Sequence, residues 1–305
     1  MEHRNLRAGI LALAILLCQA SICFSEINST VPRLKAAATI FPVYDIARNI
    51  AGERADVVCM VRPGASPHTF ALSPSDIKNL RHSRIVFSIG HSLDSWTERI
   101  SGIIEGISVY AVSSGIELKP LESDHHHHHH HEEEDKGLDP HYWLSTANAK
   151  IIAANIAGKF IELDQGNREY YLDNLRVFQK EMDMLSAEIN TLFGGLPGRE
   201  LIVFHESWNY FAGEFDLEIA GVFTPAPGKE PSPQYLKELY DAVKEHNISA
   251  VFSEPQFSSE SIKPFIKDFG LKLYILDPLG GVSGRDSFRD MLLYNARTIN
   301  HALRE

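Results

Sequence analysis

The chain has 305 residues, more than the roughly 100–150 of a usual single domain, so two lobes with separate sheets are expected. Its 29 Lys plus Arg against 40 Asp plus Glu give a net charge of −11, which argues against nucleic acid and against anionic membrane faces as partners. Beyond the N-terminus no apolar run approaches the roughly 20 residues needed to cross a bilayer, which argues against a membrane-embedded body.

The first residues, Met1 to Arg7, carry Arg4 and Arg7; an apolar stretch from Ala8 to Leu17 follows, and then small and polar residues to Ser25. This is the pattern of a signal peptide over 1–25, so a periplasmic or other extracytoplasmic protein is expected. Cys18 and Cys23 suggest a lipid anchor, but Leu17 and Ile22 are bulkier than the small residue such a site wants, and anchoring is the less favoured reading. After cleavage only Cys59 remains, so no internal disulfide can form and stability must come from burial.

In chain order, 36–41 reads as a strand, and Val43, Ile46, Ala47 and Ile50 then fall at helical spacing before Gly52. A second strand is expected over 57–61, a helix opening at Ser73-Pro74 with a serine cap, and a third strand over 84–89. Strands alternating with helices predict an N-terminal α/β lobe over 36–165 with a mostly parallel sheet. Within it, 123–137 has no apolar periodicity and reads as a solvated loop. It carries His125, His126, His127, His128, His129, His130 and His131, with Asp124 before them and Glu132 to Asp135 after. Imidazoles interspersed with carboxylates bind transition metals, so this run reads as an accessory weak metal site; its interior position, without linker or protease scar, argues against a purification tag.

Tyr171, Leu175, Phe178, Met182, Leu185, Ile189 and Leu192 alternate spacings of four and three, predicting a long helix over 167–192. The stripe lasts under four heptads and lacks a charged flanking pattern, so it reads as an intramolecular spine (166–193) of a monomer and not a dimer seam. After Gly194-Gly195-Leu196-Pro197-Gly198 the alternation restarts, with strands over 201–204, 217–222, 250–253 and 271–276. Helices are expected over 206–214, 232–246, 259–269 and 287–303, giving a C-terminal lobe over 199–305. The fold class read from this is α/β: two lobes, each with a mostly parallel sheet flanked by helices, joined by one long spine helix.

Four candidate metal ligands fall in loops beyond strand ends, where open α/β sheets bind ligands: His68, His141 in Asp139-Pro140-His141, His205 and Asp277. Singly, each is more often a hydrogen-bonding or turn residue; together they recur at equivalent places in both halves. Three imidazoles and a carboxylate suit tetrahedral Zn(II), whereas Mn(II) prefers more oxygen, and Cu(II), Ni(II) and Co(II) also bind such a set. Four protein ligands leave no open position for a reactive water, which favours carriage over catalysis. Glu254, at the end of its strand, is a possible hydrogen-bond partner for a ligand histidine. His82, His91 and His246 read as structural or loop residues, and Gly280-Gly281 lacks the context of a nucleotide-binding turn.

The segments Gly64-Ala65-Ser66-Pro67-His68-Thr69-Phe70, Asp139 to Leu144, Phe204 to Phe211 and Leu276 to Gly280 resemble the signature blocks of the metal-specific solute-binding proteins of ABC transporters, the zinc-uptake branch in particular. The resemblance implies that one lobe supplies His68 and His141 and the other His205 and Asp277, that the spine limits hinge motion, and that the partner is the membrane permease of a zinc ABC transporter. A histidine at the third ligand position and a His-rich acidic loop match the zinc branch. Thr146 stands where the family often has proline, the second-lobe disulfide of some members cannot form here, and Pro67 leaves no acidic residue before His68. Competing readings are a secreted zinc hydrolase, disfavoured because His205-Glu206 is followed by no second histidine four residues on, and a manganese or other divalent-metal receptor or adhesin of the same fold.

Overall fold

The computed structural model describes residues 33–121, 137–224, 232–257 and 263–305. The signal-peptide reading of 1–25 and the run His125 to His131 lie outside the described residues, as do the first residues of the helix expected over 259–269.

Segments of four to seven residues form two four-stranded sheets. The first contains β1 (Leu34–Ala38), β2 (Ala55–Cys59), β3 (Ile85–Ser88) and β4 (Ser108–Ala111), ordered β2-β1-β3-β4 with every pair parallel. The second contains β5 (Glu200–His205), β6 (Glu218–Thr224), β7 (Ala250–Ser253) and β8 (Lys272–Ile275), with the same order, β6-β5-β7-β8, and the same parallel pairing.

Period-two alternation decides which residue faces which layer. In β1 and β3, Ala36, Ala38, Ile85 and Phe87 face inward, and in β5 and β7 so do Leu201, Val203, Ala250 and Phe252; all join one continuous inner core. The intervening residues face out. Ala37 and Val86 pack with Leu80 and Ile100 under α2 (Pro74–Leu80) and α3 (Ile100–Ile103), while Ile202 and Val251 pack with Leu239 and Phe265 under α7 (Pro233–Glu245) and α8 (Lys263–Phe269). Both faces of each central strand are therefore buried, which is why β3 and β7 read as unbroken apolar runs.

The inner layer is made by α1 (Phe41–Ala51), α4 (Thr146–Leu163), α5 (Arg168–Phe193), α6 (Asn209–Glu214) and α9 (Phe288–Arg304). The spine α5 is 26 residues long, about 39 Å at 1.5 Å per residue, and buries Tyr171, Phe178, Met182, Leu185, Ile189 and Phe193. It packs on α1 and α4 from the first half and on α9 from the second. At the end of α1, Gly52 has φ +51°, and Tyr170 of the spine fills the space a side chain would need. The buried Asp45 of α1 accepts a hydrogen bond from the N–H of Phe288, the first residue of α9, at 2.8 Å. Burial pushes the Asp45 carboxyl above the usual range, opposed by that N–H and by Arg48. Residues 34–305 form one compact unit.

Several sequence expectations move. The strand expected over 36–41 is Leu34–Ala38, and Phe41 opens α1 instead of closing the strand. The strand expected over 57–61 is Ala55–Cys59, although the N–H groups of Met60 and Val61 still donate to Ala38 and Thr39. The helix expected over 206–214 begins at Asn209, because Ser207 folds back on the His205 carbonyl and the chain turns at Trp208. The edge strand β4 was not anticipated.

Candidate metal centre

Three histidines converge between the carboxyl ends of the two sheets. His68 lies on a single 3-10 turn (Pro67–Thr69) in the loop after β2; His141 immediately precedes another (Tyr142–Leu144); His205 is the last residue of β5 and continues the inward series of Leu201 and Val203. Their ligand atoms all lie within 4.8 Å of one another. Ring centroids are 5.1 Å apart for His141 and His205, 5.6 Å for His68 and His141, and 6.2 Å for His68 and His205.

A carboxylate sets the tautomer of two of the three rings. His141 Nδ1 is 2.8 Å from Asp139 Oδ1, and His205 Nδ1 is 2.8 Å from Glu254 Oε1. A carboxylate can only accept, so these contacts put the proton on Nδ1 and leave the Nε2 lone pair free. Ser207 Oγ and Trp208 Nε1 donate to the same Glu254 oxygen at 2.9 and 3.1 Å, which fixes its position. Asp139 Oδ1 also accepts the backbone N–H of His141 at 2.9 Å. The Nε2 atoms of His68 and His205 are buried without a hydrogen-bond partner among the described residues, a costly arrangement unless something else engages them.

The electrostatics agree with a cation-binding role. Burial, with the neighbouring His141 and His205 adding to it, lowers the His68 pKa to about 3, so this ring is neutral and its lone pair available at neutral pH. Three imidazoles with their ligand atoms this close together are a donor set for borderline-soft dications.

Asp277 is not part of that group. It lies two residues past β8, is 3% exposed, and has both oxygens engaged: Oδ1 accepts the N–H groups of Leu279 and Gly280 at 3.0 and 2.9 Å, and Oδ2 pairs with Arg285 Nη1 at 3.0 Å. Of the four ligands expected from sequence, the structure brings the three histidines together, while the fourth, Asp277, is engaged by the Arg285 guanidinium and two N–H groups. The next residues, Pro278 and Leu279, do line the cavity around the histidines, and Trp143 Nε1 donates to the Pro278 carbonyl at 2.8 Å across the two halves.

Sequence reasoning missed Asp139, Arg285 and Gln256. Asp139 reads as a turn residue before proline, although a carboxylate two positions from a histidine could have signalled its role. Gln256 lines the same cavity, and neither polar atom of its amide has a partner among the described residues. His91 pairs with Ser113 Oγ at 2.9 Å, and His82 and His246 also stand outside the three-nitrogen group. Around the segment that carries the histidine run, Pro120 and Leu138 form an antiparallel bridge and the Asp139 N–H donates to Lys119 at 2.8 Å, so the chain re-enters the described structure two residues before His141's carboxylate partner.

A model of the family described as zinc-uptake complex component A, periplasmic, matches residues 37–302. The manganese ABC transporter substrate-binding lipoprotein PsaA of Streptococcus anginosus is 28% identical over 286 residues, spanning 89% of this chain and 89% of its own length. The high-affinity zinc uptake system protein ZnuA of Brucella abortus is 27% identical over 336 residues, spanning 98% and 99%. A crystal structure of ZnuA shares the fold with a TM-score of 0.78 at 30% identity, covering 88% of this chain and 99% of the other.

Proposed function

We propose that this chain, which belongs to the family of zinc-uptake component A proteins and so to the metal-binding solute receptors of ABC transporters, carries Zn(II) in particular. Members of this family are solute-binding proteins, not enzymes, which sets aside the hydrolase reading of the same histidines. In our reading His68, His141 and His205 hold the ion, Asp139 and Glu254 orient two of the three rings, and Trp143 and Leu279 keep water from the cavity wall.

Similarity alone does not choose the metal, since a manganese receptor and a zinc receptor resemble the chain almost equally. The donor set does. Mn(II) is hard and favours carboxylate and water oxygens, whereas imidazole nitrogen suits Zn(II), so three nitrogens without an oxygen among them support zinc. The observation that carries the reading is the pair of buried Nε2 atoms on His68 and His205 that have no hydrogen-bond partner among the described residues. Cu(II) and Ni(II) compete by raw affinity, and availability outside the cell decides among them.

On the same reading the chain is exported by its first 25 residues, works as a monomer outside the cytoplasmic membrane and hands the ion to the permease of a zinc ABC transporter. The halves over 36–165 and 199–305 are the two walls of the site, and 123–137 is an accessory weak metal binder. Among the described residues no helix is long and apolar enough to cross a membrane. The test is metal analysis of protein purified without an affinity metal column, followed by competition among zinc, manganese and copper. One zinc per chain that excess manganese does not displace is expected; tight manganese that zinc fails to displace overturns the assignment.

A further inference from the structure

We infer that Arg285 is a specificity-determining residue: by pairing with Asp277 it withholds a carboxylate oxygen from the three-imidazole site and so biases the site against oxygen-seeking ions such as Mn(II). The inference rests on the reading of His68, His141 and His205 as the metal ligands.

The pair is built, not incidental. Asp277 Oδ2 meets Arg285 Nη1 at 3.0 Å, with side-chain exposures of only 4% and 20%. Two consecutive residues of α9 hold the two partners. The Arg285 guanidinium lies over the Tyr294 ring, 4.6 Å from its centroid, and Asn295 exchanges two hydrogen bonds with the Asp277 backbone, at 2.7 and 2.8 Å. The loop between them is equally fixed. The Gly281 N–H donates to the Arg285 carbonyl at 2.9 Å, and the Arg285 N–H to that of Val282 at 2.8 Å. Gly281 has φ +79°, and a Cβ there would press into Phe41 and Pro63 of the first half. Arg285 therefore reaches the carboxylate with little freedom left to lose.

The chemistry follows from competition between cations. For the ion to gain the Oδ2 oxygen of Asp277 it must displace Arg285 from a largely buried ion pair, which costs more than coordination by a free carboxylate. Zn(II) loses little by doing without, because three imidazoles and one further small ligand complete a tetrahedron. Mn(II), which draws more of its binding from hard oxygen donors, loses more. Pro278 and Leu279 line the cavity, so the carboxylate stands one residue from the wall it would have to enter.

The experiment is calorimetric titration of the full chain with ZnCl2 and with MnCl2, for the native protein, Arg285→Met, Asp277→Asn and the double variant. Methionine retains much of the stem over Tyr294 without the charge, and asparagine retains an acceptor for Leu279 and Gly280. Arg285→Met should raise manganese affinity relative to zinc by about tenfold or more, a gain absent from the double variant, while Asp277→Asn alone moves zinc affinity by less than about threefold. An unchanged zinc-to-manganese ratio in a folded Arg285→Met protein overturns the inference, and so does a zinc affinity that Asp277→Asn alone weakens about thirtyfold or more, since Asp277 would then already be a ligand. Should Arg285→Met not fold, Arg285→Lys replaces the fork with a point charge and should shift the ratio the same way by less. His205→Ala separates the two claims: tight zinc binding retained there removes the three-imidazole reading itself, whatever Arg285 does.

Discussion

Glu254 and Asp139 decide which nitrogen of His205 and His141 faces the cavity, and their value can be measured apart from the ligands they serve. Replacing either by its amide leaves the shape intact but lets the ring adopt the other tautomer, so Glu254→Gln and Asp139→Asn should each weaken zinc about 10–100-fold by competition titration. Binding unchanged in both would leave the two carboxylates with a purely structural role. His68 makes a second prediction, on the metal-free chain. Unfolded, its ring titrates near the ordinary value of 6.5, whereas folded it is lowered to about 3 by burial and by the other two histidines. Between those values the unfolded state binds more protons, so this residue's contribution to stability is present at neutral pH and is lost as pH falls through that window. Thermal melts from pH 7 to pH 4 should therefore show a smaller loss in His68→Gln than in the native chain; equal losses contradict the assignment. At this scale the three histidines were legible because each follows a strand or a distinctive Pro-containing segment. Arg285 was not, since nothing in an eight-residue span through a glycine-rich turn says where a guanidinium will point.

The elements follow burial more than propensity. The spine was legible to within one residue at each end because its four-and-three stripe is also its buried face. The edge strand β4, short and half-exposed, carries no comparable pattern and was missed. The central strands declared themselves as apolar runs; β7 has its expected bounds, while β3 and β5 differ by one residue at each end and β1 ends three residues early, because hydrogen bonding to a neighbour and not composition sets where a strand stops. Two substitutions test the spine's role as shared core. Leu185→Ala deletes a fully buried side chain of α5 and should cost about 2–5 kcal/mol in urea unfolding. Asp45→Ala removes the acceptor that joins α1 to the start of α9 and should cost about 1–3 kcal/mol, since the Phe288 N–H stays buried without it. A loss below about 0.5 kcal/mol at either position would mean that the two halves do not depend on this layer.

At the scale of the molecule, a single inner core that runs from Ala38 and Phe87 through the spine to Val203 and Phe252 leaves little room for wide hinging. Solution scattering before and after zinc should give nearly superimposable profiles; a clear fall in radius of gyration contradicts that. The histidine run that dominates the sequence lies outside the described residues, whereas His68, His141 and His205 are placed at the carboxyl ends of two sheets. The two contributions separate in one measurement, zinc calorimetry on the chain with residues 123–137 removed, beside the full chain and the same deletion carrying His205→Ala. The account predicts one tight site per chain in the deletion variant, as tight as in the full chain, and at least about 100-fold weaker binding once His205 is also lost. Loss of tight binding on deleting 123–137 alone would contradict it.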